Sequence, residues 1–258
     1  MLILAFDTTS EAGGVGIFRG SRCLAEVVSD GPANRYSLSL FDMVDRVIDE
    51  AKTRHGVPGR GLADLGLIAV ASGPGSFTGI RVGLAAAQGW AKAFGLPARG
   101  VSVLAALVEA APIRTEWAAA ILDARRGEFF VGLFQRVGAA LVAAPGQPQE
   151  LPVKEEDRFF VPAGEGWLLK PAELVPFLAR HLPEETGATC VARGHDRAAL
   201  ALCGTLPSSF SRQVVQGTLV EPVARLGFRE YRAGKPQAAS DLDAYYIRRP
   251  DAELYWKE

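Results

Sequence analysis

The sequence predicts an α/β protein built of two similar halves in tandem, and three observations carry that prediction. Short apolar runs alternate with amphipathic stretches of helical period. The first hundred residues give three strands, a helix, a strand and a helix. A stretch beginning near Val103 then echoes that opening. At 258 residues the chain suits two small domains, and 48% hydrophobic residues allow each a full core.

Leu2–Asp7 and Val15–Arg19 read as short apolar strands joined by Thr8–Gly14, a turn rich in Thr, Ser and Gly. Arg22–Ser29 is a third strand, ended by Asp30-Gly31-Pro32. Ser37–His55 follows as a helix with Leu40, Val44, Val47, Ile48 and Ala51 on one face, closed by Gly56 and Pro58. Leu67–Ser72 is a buried strand, and Gly79–Phe94 a helix stopped by Gly95-Leu96-Pro97. That order is the pattern of a ribonuclease-H-like half. In the second half, Trp117–Asp123 and Glu128–Arg136 read as strands around the tight turn Ala124–Gly127. Leu141–Lys170, rich in Pro, Gly and acidic residues, is less regular. Pro171–His181 reads as a helix, Thr189–Ala192 as a strand and Asp196–Cys203 as a helix. Pro222–Ala233 is a helix with Pro in its first turn and Gly234 after its end. The expected domains are residues 1–102 and 103–258, with the last helix and tail free to pack back on the first.

Composition narrows the function. The formal net charge is −1 and the pI about 6.4, so no global field draws the chain to nucleic acid. No apolar run approaches the roughly 20 residues of a membrane span, and Leu2–Phe6 is too short for a signal peptide. A cytoplasmic protein with no membrane partner is expected. Cys23, Cys190 and Cys203 show no Cys-x-x-Cys spacing and read as structural thiols.

The densest motif is Gly73-Pro74-Gly75-Ser76-Phe77-Thr78-Gly79-Ile80-Arg81-Val82-Gly83. It joins a turn, a helix start with Ser76 and Thr78 as possible N-caps, and a helix face on which Gly79, Gly83, Ala86 and Ala87 recur at three- and four-residue spacing. Amides at a positive helix end suit an anion, and a small-residue stripe admits a second helix. Plain turn chemistry is the commoner use of such a turn. No Gly-Lys-Ser/Thr follows, so this is no P-loop, and Pro74 stands where a nucleophile elbow needs its first glycine. Spacing alone leaves phosphate, partner helix and turn open.

This eleven-residue run closely resembles the signature of the TsaB family, the non-catalytic subunit of the bacterial machinery that makes threonylcarbamoyladenosine in tRNA. Ile3-Leu4-Ala5-Phe6-Asp7-Thr8-Thr9-Ser10, Ile121-Leu122-Asp123-Ala124-Arg125-Arg126 and Tyr246-Ile247-Arg248 fit the same family in order. The resemblance is dense from Met1 to about Phe134. It implies the actin-like ATPase (ASKHA) fold of two ribonuclease-H-like domains. It also implies a scaffold role beside a TsaD-like catalytic paralogue and a TsaE-like ATPase. Together these transfer threonylcarbamoyl to the adenosine 3′ of the anticodon. It further implies contact with tRNA only through the complex, no cofactor on this chain alone, ATP or ADP at the level of the complex, and a homodimer as an option for the isolated chain.

Asp7 and Asp123 end the first strand of each half, where actin-like ATPases position a metal–phosphate unit. With Thr8, Thr9, Gly73, Gly75 and Ser76 they outline a residual nucleotide cleft; each Asp is equally suited to capping its own turn. The catalytic paralogue carries His-x-x-x-His on its first long helix, a spacing that sets two imidazoles on one face for a metal. The corresponding stretch here is Asn34-Arg35-Tyr36-Ser37-Leu38-Ser39-Leu40, and His55, His181 and His195 lie in three separate segments. No metal site and no catalytic residue are therefore expected. The apolar arc of Tyr36, Leu40, Met43 and Val47 beside the stripe of Gly79, Gly83, Ala87 and Trp90 is the expected partner interface, internal packing being the competing reading. Gly83→Leu is then expected to block association and spare the fold, and Arg81 to bond a carboxylate or carbonyl. A stand-alone actin-like ATPase or small-molecule kinase is the first alternative function. A metallopeptidase, disfavoured by the missing histidine pair, is the second.

Overall fold

The computed structural model describes residues 1–29, 36–57, 61–138, 158–183, 187–234 and 241–247. Asn34, Arg35, the Asp30-Gly31-Pro32 break, Pro58, Arg248 and much of Leu141–Lys170 lie outside the described residues. Two compact units emerge. One is Met1–Ala106 joined by the segment from Gly217, and the other is Leu107–Gln216.

In the first unit, β1 (Leu2–Asp7), β2 (Gly14–Arg19), β3 (Arg22–Val28), β4 (Leu67–Gly73) and β5 (Ala98–Ser102) form one sheet in the order β3-β2-β1-β4-β5. β1 and β3 run antiparallel to β2, while β4 is parallel to both β1 and β5. Strand parity divides the two faces. Leu4, Phe6, Val15, Ile17, Ile68 and Val70 meet α1 (Tyr36–His55) and α2 (Phe77–Phe94) in one core. The other face carries Ala5, paired to Gly16 and to Ala69, a patch of small residues beside Ile3, Phe18 and Leu67. α6 (Val220–Arg232) lies on that face. A Cβ on its Gly227 would stand 2.7 Å from the Ala69 Cβ, and one on Gly16 would stand 3.0 Å from Val220. Small residues on both sides bring this helix close to the strands.

The compact second unit runs from Leu107 to Gln216, and α6, the last helix that the sequence left free to pack back, lies on the first sheet, where its glycine and the sheet's alanines and glycines fit each other. The break before the second unit falls after Ala106, inside α3 (Val103–Ala110), rather than at residue 102. Strand β5 and helix α3 were not anticipated. β5 carries Arg99 at a buried position, which hides its apolar character; the guanidinium bonds the Ala98 carbonyl at 2.8 Å and faces the Tyr231 ring.

The second unit repeats the topology. β6 (Trp117–Asp123), β7 (Phe129–Gly138), β8 (Arg158–Pro162), β10 (Ala188–Arg193) and β11 (Ser211–Val215) run in the order β11-β10-β6-β7-β8, with β9 (Trp167–Leu169) also paired to β7. β6, β10 and β11 are parallel, and β7 is antiparallel to β6. α4 (Pro171–His181) and α5 (Arg197–Gly204) pack beneath with Leu174, Leu178, Leu202 and the two buried thiols of Cys190 and Cys203. Burial pushes those thiols up to about 12 and about 11, so they behave as small apolar groups. β8, β9 and β11 escaped the sequence reading because they are short and half exposed.

Helix ends follow local chemistry. Ser76 caps α2 by accepting the Gly79 amide at 3.2 Å, and Gly95 ends it with φ 65°. Gly56, at φ 59°, donates to Lys52 and closes α1. In α4, Pro171 occupies the first position and Glu173 accepts the Lys170 amide at 2.7 Å. Among the described residues no helix is long and apolar enough to cross a membrane.

Candidate functional site

The signature run and the end of β1 are built into one another. Ser76 donates its amide to the Thr9 carbonyl at 2.7 Å, and Thr8 Oγ1 donates to the Gly79 carbonyl at 2.7 Å. Thr9 turns back and donates both its amide, at 2.8 Å, and its hydroxyl, at 2.6 Å, to Asp7 Oδ1. Asp7 is fully buried. The glycines permit this approach. A Cβ on Gly79 would overlap the Thr8 carbonyl oxygen, one on Gly83 would overlap Thr8 Oγ1, and one on Gly75 would stand 2.6 Å from the Thr9 carbonyl oxygen. The Gly73–Pro74 bond is cis.

This geometry corrects the expected interface. Tyr36, Leu40, Met43, Val47, Gly79, Gly83, Ala87 and Trp90 are all buried within the first unit. Tyr36 donates its hydroxyl to the Ser10 carbonyl at 3.1 Å, so it closes the β1–β2 turn from below. Trp90 stacks edge-on against Phe6 of β1. The glycine stripe faces Thr8, Val70 and Phe6, not a partner helix. Gly83→Leu therefore strikes the fold itself. Sequence spacing identifies a helix face but not which face the sheet takes.

The outward surface of the same helices has different residues. On α1, Leu38 is 80% and Phe41 58% exposed; on α2, Ala85 is exposed and Val82 and Ala86 are half-buried. Phe41 bridges the helices, its ring edge-on to Trp90 at 5.4 Å.

A segment near the end of the chain also frames the signature. Leu242 is buried in the first core and accepts from Gln88 Nε2 at 2.7 Å, while Tyr245 donates to the Ser72 carbonyl at 2.8 Å. A Cβ on Gly73, whose φ is 114°, would come within 3.0 Å of the Tyr245 carbonyl oxygen. Arg81 lies over the Phe77 ring at 3.7 Å and donates to the Tyr246 hydroxyl at 3.3 Å. Its partners are thus an aromatic face and a phenol, not the expected carboxylate or carbonyl. Sequence reading noted Tyr246 only within a family segment and gave it no contact.

Asp123 belongs to the second unit and Asp7 to the first. Asp123 Oδ1 accepts the Arg125 amide at 2.7 Å, and its own amide donates to Asp196 Oδ2 at 2.8 Å. Asp196 also caps α5, accepting the Ala199 amide at 2.9 Å. Asp196 was missed as a partner of Asp123; its N-cap position was the one available signal. His55 ends α1 and His195 precedes α5. His181 stacks on Phe177 and contacts its carbonyl at 2.9 Å through Nδ1. No group of three or more potential metal ligands occurs among the described residues.

Comparison with known proteins completes the site. The family model described as TsaD, tRNA N6-adenosine threonylcarbamoyltransferase, matches residues 32–154. The tRNA threonylcarbamoyladenosine biosynthesis protein TsaB of Escherichia coli (strain K12) is 34% identical over 140 residues, which cover 53% of this chain and 56% of that protein. The chain thus spans little more than half the length of that curated relative. An uncharacterized protein of Mycobacterium tuberculosis (strain ATCC 25618 / H37Rv) is 31% identical over 215 residues, covering 73% of this chain and 96% of that one. Among solved structures, YeaZ from Pseudomonas aeruginosa superposes with a TM-score of 0.66 at 23% identity, over 95% of this chain and 99% of that one. Likeness at that identity speaks for the fold alone, two α/β units of the same strand order.

Proposed function

The chain belongs to the TsaB family, and on that premise we propose that it is a non-catalytic subunit of the bacterial machinery that threonylcarbamoylates tRNA. It works beside a TsaD-like catalytic paralogue, with a TsaE-like ATPase as third component. The observation that carries this reading is the first helix. Where the catalytic paralogue needs a histidine pair four residues apart, this chain has Tyr36 and Leu40, both turned into its own core. A metal cannot be held there without dismantling the packing of the β1–β2 turn. Asp7 is likewise occupied by its own turn, which favours a structural use of the signature over phosphate transfer.

What α1 and α2 leave outward is Leu38, Phe41 and Ala85, with half-buried Val82 and Ala86 at the margin of the core. Exposed Leu and Phe side by side are an uncommon outlay on a solvent face. A TsaD-like paralogue with an equivalent helix pair is its partner in this reading. The role of the chain is to bind that paralogue and hold it in an active form.

Reconstitution tests the proposal. Threonylcarbamoyladenosine formation on a tRNA transcript is measured with the paralogue, the ATPase and the adenylate donor, with and without this chain. Formation that depends on the chain, together with no ATP turnover by the chain alone, is the expected result. Modification at full rate in its absence refutes the role.

A further inference from the structure

We propose that the hairpin tip Arg125–Arg126 is a contact site for the phosphodiester backbone of RNA, an inference that rests on the tRNA-modification reading above. Among the described residues, the only non-glycine residues with positive φ are these two neighbours, at 63° and 57°. Gly127 follows at 73°. The hairpin closes through Ala124 donating to the Glu128 carbonyl at 2.9 Å and Glu128 donating to the Arg125 carbonyl at 3.1 Å. Such a turn requires left-handed residues, and glycine, asparagine or aspartate meets that demand with far less strain than arginine. The backbone conformation by itself therefore does not call for two arginines here.

The strained backbone is held from beneath. Asp123 takes the Arg125 amide, and Asp196 takes the Asp123 amide while capping α5. Strain of this kind persists where surrounding bonds over-determine it, and it collects at functional sites. Charge is sorted in the same direction. The half-buried carboxylates of Asp123 and Asp196 accept backbone amides, and that of Asp123 also pairs with Arg125. Arg125, Arg126 and Arg197 are exposed on two turns that the Asp123–Asp196 bond joins, with half-buried Glu128 beside them. Arg125 remains 87% exposed although it pairs with Asp123 at 3.4 Å. In a chain whose net charge is −1 this is a local concentration of cations. Guanidinium forks match phosphate oxygens, and such contacts fix the position of an RNA without reading its sequence. No large apolar side chain is exposed within residues 123–128 or 193–198, so the patch lacks the apolar centre typical of a protein interface.

The test uses the complex of this chain with its paralogous partner and an unmodified tRNA transcript as probe. The pair Arg125→Asn with Arg126→Asn relieves the backbone and removes the charge. The pair Arg125→Lys with Arg126→Lys keeps charge and strain. The Asn pair is expected to raise the thermal midpoint of the chain and leave assembly intact. It should weaken tRNA binding about tenfold and flatten the dependence of log affinity on log salt by about 1 to 2. The Lys pair should retain the wild-type salt slope. Unchanged affinity and slope in the Asn pair overturn the proposal, as does a lowered midpoint, which makes the arginines structural. Loss of assembly with the paralogue also overturns it, since the tip would then be a protein contact. If modification proves independent of the chain while the Asn pair still loses tRNA, the modification role fails and the RNA contact stands.

Discussion

The two units share a strand order yet lock their strand-end turns by different means. In the first, the turn after β1 and the turn after β4 meet closely: Ser76 donates to the Thr9 carbonyl, the Thr8 hydroxyl donates to the Gly79 carbonyl, and Gly75, Gly79 and Gly83 carry no side chain that would block the approach. In the second, the corresponding turns are joined by one carboxylate, Asp196, which bonds the Asp123 amide and caps α5. Glycine contact allows no adjustment, whereas a side-chain bridge tolerates change. The difference explains why a glycine-rich signature sits in one unit only. It also explains why a stripe that invites a partner helix on paper is consumed by the unit's own strand turn.

The largest expected effect breaks the glycine lock. Gly83→Leu should cost the first unit about 3 kcal/mol or more, because its branches enter the space of Thr8 and Phe6. The contrasting change in the second unit, Gly204→Ala at the end of α5, meets nothing within 4 Å and should stabilise by up to about 1 kcal/mol. Denaturant titration of both variants checks the contrast; equal costs would remove it. Next comes the carboxylate bridge. Asp196→Ala forfeits a helix cap and leaves the Asp123 amide without that acceptor, so a loss of about 2 kcal/mol is expected by thermal melting. Tyr36→Phe, which removes the bond to Ser10, should cost about 1 kcal/mol. The smallest effect is chemical. Cys190 and Cys203, buried with raised thiol pKa values, should resist a thiol reagent at neutral pH for as long as the fold holds, while exposed Cys23 reacts. Mass spectrometry of the labelled chain reads this, and rapid labelling of either core thiol would mean that the second unit opens readily.

Sequence pattern revealed the first unit better than the second. Leu2–Asp7 and Leu67–Gly73 are continuous apolar runs, and the helices between them carry clean stripes, so period and punctuation identify them. β5 was hidden by Arg99, and β8, β9 and β11 by shortness and partial exposure. The return of α6 to the first sheet depends on small residues far apart in the chain, Gly16, Ala69 and Gly227, whose fit no local window contains. The candidate site fared similarly. Its residue types and turns were legible, but the direction each helix face turns was not. Tyr36 and Leu40 point inward because the sheet lies on that side, which leaves Leu38 and Phe41 on the outward face.

That assignment of faces is the central claim, and a paired comparison of outward and inward residues tests it most directly. Leu38→Asp with Phe41→Asp alters only the outward strip. The variant should keep its stability to within about 1 kcal/mol, since surface changes cost little and Phe41 loses one edge-on ring contact. Co-purification with the TsaD-like paralogue should nevertheless be abolished. Retained association in a variant that melts like wild type would contradict the account and return the partner surface to some other face of the molecule.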